Sequence, residues 1–193
     1  MRVSTAKTVV LASLAVAMVV LMTACGAKSA KEAGLQAADL PKDLKSCTQS
    51  GPIASFAQMK DNKQYADAKA MGVQEDYAAL YATSDIECAQ AAANGSTSRP
   101  RASMLLLKFA EDSTAASAYD RGLLTGGRLQ QVSTQLGVAA TKPAELGDQV
   151  EAMTYNKIFT AAFHKGRFYI LYISMGLGDS ENQKALKAVY DRM

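Results

Sequence analysis

The most confining feature of this chain lies near its C-terminus, where two long apolar runs flank a turn signal. Residues 150–164 and 167–176 read as strands on either side of Lys165-Gly166, a hairpin pattern. Pairing across that turn puts Phe163 near Phe168, Ala161 near Ile170 and Phe159 near Tyr172. The opposite face carries Ile158, Ala162, Tyr169, Leu171 and Ile173. Both faces are apolar, and strands of this kind are covered on both sides or cover a ligand on one. The aromatics Phe159, Phe163, Phe168, Tyr169 and Tyr172 are therefore the candidate lining of a ligand cavity, with core packing as the competing reading. A capping box, Ser180-x-x-Gln183, opens a last helix. Its stripe of Leu186, Val189, Tyr190 and Met193 is spaced to pack on a sheet.

The N-terminus has a different character. Residues 1–7 carry Arg2 and Lys7 and no acid, and residues 8–22 are apolar for 15 positions. Crossing a bilayer takes about 20 such residues, so the run fits the apolar region of a secretory signal peptide instead. It ends in Leu21-Met22-Thr23-Ala24-Cys25-Gly26. Small residues before a cysteine at this place resemble the lipobox of bacterial lipoproteins, although Met22 stands where that family usually has Leu. The resemblance implies a diacylglycerol on the Cys25 thiol, cleavage before it, and a protein held on the outer face of the cytoplasmic membrane. Residues 1–24 are then the signal peptide, 25–43 a lipidated flexible tether and 44–193 one extracytoplasmic domain. Without residues 1–24 the net charge falls from +3 to +1, which is no nucleic-acid footprint.

Cys47 and Cys88 remain, and export places them where disulfides persist. A bridge between them is the favoured reading. A redox or metal pair is the alternative, but there is no C-x-x-C and no neighbouring histidine.

Between these landmarks, Asp61-Asn62 caps a helix that stops at Gly72, and a second helix is expected from Gln74 to Thr83. Residues 86–93 fit strand or helix, and 94–100 form a loop. Residues 101–110 have strand length. Asp112-Ser113 then caps a helix with Ala115, Ala118, Tyr119, Gly122 and Leu123 on one face, ended by Gly126-Gly127. Residues 128–140 show no decisive period, and Pro143 to Asp148 is a turn.

Two segments share an order of features. Arg101, strand, Asp112-Ser113, helix and Tyr119-Asp120-Arg121 match Arg167, strand, Asp179-Ser180, helix and Tyr190-Asp191-Arg192. The whole layout resembles small actinobacterial lipoproteins with secreted, sensor-like domains. In those, tandem strand–helix halves build a mixed sandwich. The expected class is α+β, one mixed α/β sandwich with an antiparallel sheet, two tandem strand–helix halves, and a C-terminal hairpin plus helix.

Motifs for chemistry are scarce. There is no G-x-S-x-G and no Walker A; Gly122 to Arg128 lacks the Lys-Ser/Thr that reaches phosphate and metal. The one S-x-x-K match, Ser4 to Lys7, lies in the signal peptide. His164 is the single histidine and sits beside the hairpin turn. Glu75/Asp76 and Glu111/Asp112 are adjacent pairs, which do not converge as glycosidase carboxylates must. No catalytic residue, cofactor, metal or nucleic-acid partner is expected. The expected function is non-catalytic binding of a small molecule or a cell-envelope protein from a lipid anchor. The rival is a membrane-attached hydrolase using His164.

Overall fold

The computed structural model describes residues 28–56, 62–93, 101–125, 127–143, 146 and 150–193. The expected signal peptide, Cys25, Asp61 of the expected Asp61-Asn62 cap, the expected 94–100 loop, Gly126 and most of the expected 143–148 turn lie outside them. The described strands are β1 (Lys45–Ser46), β2 (Val73–Ala82), β3 (Arg101–Phe109), β4 (Ala140–Thr141), β5 (Glu151–Tyr155), β6 (Ile158–Lys165) and β7 (Phe168–Met175). All seven form one antiparallel sheet in the order β1-β2-β3-β7-β6-β5-β4. The described helices are α1 (Ala30–Ala33), α2 (Lys63–Ala70), α3 (Asp85–Ala92), α4 (Asp112–Asp120), α5 (Leu129–Leu136) and α6 (Asp179–Arg192). The fold is α+β, an antiparallel sheet between two helical layers.

The two apolar faces of the C-terminal hairpin are both covered, as their composition demands. On the front face Phe163, Phe168, Ile170 and Tyr172 pack with Ala185, Leu186 and Val189 of α6 and with Ala30, Ala33, Leu35 and Leu40. On the back face Ala162, Tyr169 and Leu171 pack with Ala115, Ala118 and Tyr119 of α4, Leu129 of α5, and Tyr65 and Ala68 of α2.

Within the segment expected as a tether, 25–43, the described residues 28–43 are packed on the fold. Ser29 accepts the Glu32 N–H and Glu32 accepts the Ser29 N–H, a closed capping box at α1. Beyond it Ala30, Ala33, Leu35, Leu40 and Leu44 are buried against the sheet. Their side chains are small or apolar at spacings that fit a groove between β2 and α6. The folded unit therefore includes the segment from Ser29 onward and does not start at Leu44.

The helix expected from Gln74 to Thr83 is strand β2. Alanine favours a helix locally, but Ala78, Leu80 and Ala82 face the back layer while Tyr77, Ala79 and Tyr81 face the front. Burial on both sides of a sheet overrides the local preference. The ambiguous stretch 86–93 falls in α3, capped by the Ser84 side chain, and α5 occupies part of 128–140. The helix after Asp112 ends at Asp120, short of the expected Gly126-Gly127, because Gly122 turns left-handed at φ 59°. A β-carbon on Gly122 would come within 2.1 Å of the Gly127 carbonyl.

The single strand expected over 150–164 is two strands. Asn156 and Lys157 take φ values of 51° and 66°, the paired positive angles of a two-residue type I′ hairpin. The last hairpin turns at Gly166-Arg167 rather than Lys165-Gly166, so Phe163 pairs with Ile170, Ala161 with Tyr172 and Phe159 with Ser174. Each pairing slips by two residues, which leaves every side chain on its expected face. The last helix starts at Asp179, and Glu181 rather than Gln183 closes its cap by accepting the Gly178 N–H at 2.8 Å. The earlier start turns Asn182 inward.

The two strand–helix halves do not form a symmetric repeat. β3 and β7 are antiparallel neighbours, so a dyad exchanging them stands normal to the sheet and would keep α4 and α6 on one face. They lie on opposite faces. At the β1 edge, Cys47 and Cys88 are joined as a disulfide with their Cα atoms 5.5 Å apart, tying the end of β1 to α3. Closing that 41-residue span contributes about 4 kcal/mol in the chain-entropy account.

Buried Asn182 accepts hydrogen bonds from the Tyr172 hydroxyl at 3.0 Å and the Ser174 hydroxyl at 2.6 Å. Asn182→Ala leaves both hydroxyls buried without an acceptor, at roughly 1–3 kcal/mol for each stranded group. The expected result is a lower urea midpoint with an unchanged slope. A midpoint equal to wild type would refute the assigned role.

Candidate functional site

The helices do not cover the whole back face. α4 and α5 pack over the β5–β6–β7 side, while α2, the 3-10 turn Ile53–Ser55 and α3 pack near β2. Between them remains a groove of about 320 Å³, within the range of small-molecule sites. Its floor follows from the register. Ala78, Leu105 and Leu171 form one cross-strand row, and Leu80, Ser103 and Ile173 the next. Phe56, Leu124 and Ala91 line the sides. Polar groups gather at one part of the wall and one end: Asn62, Gln64, Ser103 and Arg101. Asn62 is fixed as the cap of α2, accepting the Tyr65 N–H at 3.0 Å. The Ser103 hydroxyl leans on the Ile173 carbonyl at 3.4 Å. Arg101 sits on the row beyond Ser103, where β3 begins.

This site can hold an apolar body along its floor and a polar or acidic end near Arg101. Among its described lining residues there is no His, Cys, Asp, Glu, Lys or Tyr. Nothing in that described set can take up or deliver a proton near neutral pH.

A second polar cluster lies under α4. Glu151 is 3 % exposed and pairs with Arg128, and it also accepts the Gln130 N–H at 3.2 Å in the first turn of α5. The Arg128 guanidinium lies over the Tyr119 ring at 5.1 Å. Tyr119 in turn contacts the His164 ring at 5.3 Å and Tyr169 edge-on at 6.1 Å. Burial pushes the Tyr119 hydroxyl up to about 12, so it stays protonated. The cluster ties α4 and α5 to the sheet by an ion pair and stacked rings, and none of its members lines the groove.

The five candidate aromatics separate. Phe163, Phe168 and Tyr172 are in the front core, with Phe159 packed against it, whereas Tyr169 is in the back core. None of them lines the groove. The groove residues carried no sequence signal, because Leu105, Leu171 and Ile173 read as ordinary core. What exposes them is where the covering helices stop. Cys47 and Cys88 are brought together, and Cys25 lies outside the described residues. Among the described residues no group of three or more His, Cys, Asp or Glu could hold a metal ion, and no helix is long and apolar enough to cross a membrane. No protein-family model matches the chain, and no curated protein matches it.

Burial holds His164 below its ordinary value of 6.5, with Asp120 and Asp112 pulling weakly the other way. The unfolded chain therefore takes up this proton first as pH falls. The His164 contribution to stability is complete above pH 6.5 and declines below it. In urea titrations across this window, His164→Gln is expected to flatten the acid side of the profile. Parallel profiles for the two proteins would show that His164 is not the titrating group.

Proposed function

We propose that this chain is a lipid-anchored, extracytoplasmic binding protein that performs no chemistry on what it binds. The ligand is a small, mainly apolar molecule with an acidic or hydrogen-bonding end. The observation that carries this reading is the groove over β2, β3 and β7. It has an apolar floor, a guanidinium at one end and no acid–base group among its described lining residues. The lipobox-like Leu21 to Cys25 supports the anchor. Acyl chains at Cys25 would hold the protein firmly, because each buried methylene contributes about 0.8 kcal/mol. The rival reading, a hydrolase built on His164, finds no support in the groove, from whose lining His164 is absent.

The anchor is tested by fractionation of cells expressing the full chain. Cys25→Ser is expected to release the protein from the membrane or to leave its signal uncut. Unchanged membrane retention with a cut signal would refute lipidation at this residue.

The groove is tested with 1-anilinonaphthalene-8-sulfonate, an apolar probe with one anionic group. Its fluorescence should rise on the folded protein. Ser103→Trp, which fills the floor, should abolish the rise. Arg101→Gln should weaken binding roughly tenfold or more, the worth of a charge-assisted hydrogen bond. Equal probe binding by all three proteins would place the site elsewhere.

A further inference from the structure

The route of the chain across the sheet fixes which end of the molecule an anchored protein presents to the membrane. This inference rests on the lipid-anchor reading and adds an orientation to it. At one end of the sheet lie the start of β2, the end of β3 and the Gly166-Arg167 turn between β6 and β7. The chain enters the fold there. The Ala30 N–H donates to Glu75 of β2 at 2.8 Å, and Glu75 pairs with Lys108 at the end of β3. The Lys28 ammonium reaches the Arg192 carbonyl at the end of α6. From this point the chain climbs the front face, and the Leu35 carbonyl accepts the Tyr81 hydroxyl at 2.8 Å near the far end of β2.

Cys25 and Ser29 are four residues apart, a reach of at most about 14 Å. Ser29 is already fixed in the α1 capping box. An acyl group on Cys25 therefore cannot let the domain drift far from the bilayer. The geometry points to direct apposition of this end on a lipid surface, formed by α1, the last turn of α6, the end of β3 and the β6–β7 turn.

The chemistry of this end suits a phospholipid surface with anionic headgroups. Lys28 and Lys31 are exposed, and Arg167 is near enough to Glu75 to help lower its carboxyl behind the Lys108 and Ala30 hydrogen bonds. Of the acids here, Glu32 is engaged in the cap, Glu75 with Lys108, Asp39 with Arg192 and Asp191 with Lys187, whereas Glu111 and Asp112, just beyond the end of β3, are exposed.

The groove occupies the opposite face and extends toward the opposite end. Arg101 lies eight residues from Phe109 along β3, a rise of about 27 Å. Its polar end is thereby directed away from the bilayer, and its ligand arrives from the aqueous side rather than from the membrane leaflet.

The sequence contains no tryptophan, so single tryptophans report their own surroundings. The test uses the full-length acylated protein in phosphatidylethanolamine–phosphatidylglycerol vesicles carrying a headgroup-nitroxide lipid as quencher. Ala110→Trp and Lys31→Trp mark the apposed end, and Tyr155→Trp and Ser180→Trp mark the far end. All four positions are exposed, and two at each end guard against one poorly folded variant. Quenching at Ala110→Trp and Lys31→Trp is expected to exceed that at the far pair several-fold. Equal or reversed quenching in protein that floats with the vesicles overturns the orientation and leaves the anchor standing. Protein that does not float overturns the anchor reading and this inference with it.

Discussion

Burial of β3 and β7 on both faces is the constraint on which the other elements depend. These strands lie side by side near the middle of the sheet, and their residues feed two separate cores. Leu106 and Ile170 face one, Leu107 and Tyr169 the other, all at 0 % exposure. A sheet of that kind needs two helical layers. α6 supplies most of one, and the N-terminal segment from Ser29 to Leu44 completes it. α2, α4 and α5 supply the other incompletely, and the shortfall is the groove.

Much of this was legible where side-chain alternation and burial agree. The C-terminal hairpin sorted Phe163 and Ile170 from Tyr169 and Leu171 correctly even though its turn moved by one residue, because a two-residue slip preserves the face. The pairing of Cys47 with Cys88 followed from the expected export and from elimination. Legibility failed where the local signal and the tertiary environment disagree. Gln74 to Thr83 reads as helix from its local composition, yet as strand β2 its Ala78 to Ala82 stretch is buried on both sides of the sheet. Ala30, Ala33 and Leu35 read as a tether because they are small and sparse, which is also what lets them pack closely on β2. Asn156-Lys157 makes a left-handed turn without glycine, so one strand was expected where there are two.

The candidate site was the least legible part. Large aromatics suggested a cavity, but large aromatics also fill space well, and Phe163, Tyr169 and Tyr172 are fully buried. The groove is instead floored by medium and small side chains, Ala78, Leu105, Ser103 and Leu171. Its existence depends on the lengths and positions of α2, α3 and α4. The polar cluster around Glu151 fixes part of that arrangement. Arg128 reaches Glu151 from the segment between α4 and α5 and stacks on Tyr119, so both helices are held where they stop short of β2.

The strands that end the sheet on either side are only two residues long, Lys45–Ser46 and Ala140–Thr141, and all four residues are exposed. A long bare margin of unpaired amide and carbonyl groups invites a neighbouring copy to add its own strand. Here the margins are short, one carries a lysine, and the disulfide at Cys47 pins the other side of that stub to α3. Strand-by-strand self-association therefore has little to grip on either stub. A strand added on the β1 side would have to reach past the stub to the stretch of β2 from Val73 to Tyr77 that β1 leaves uncovered.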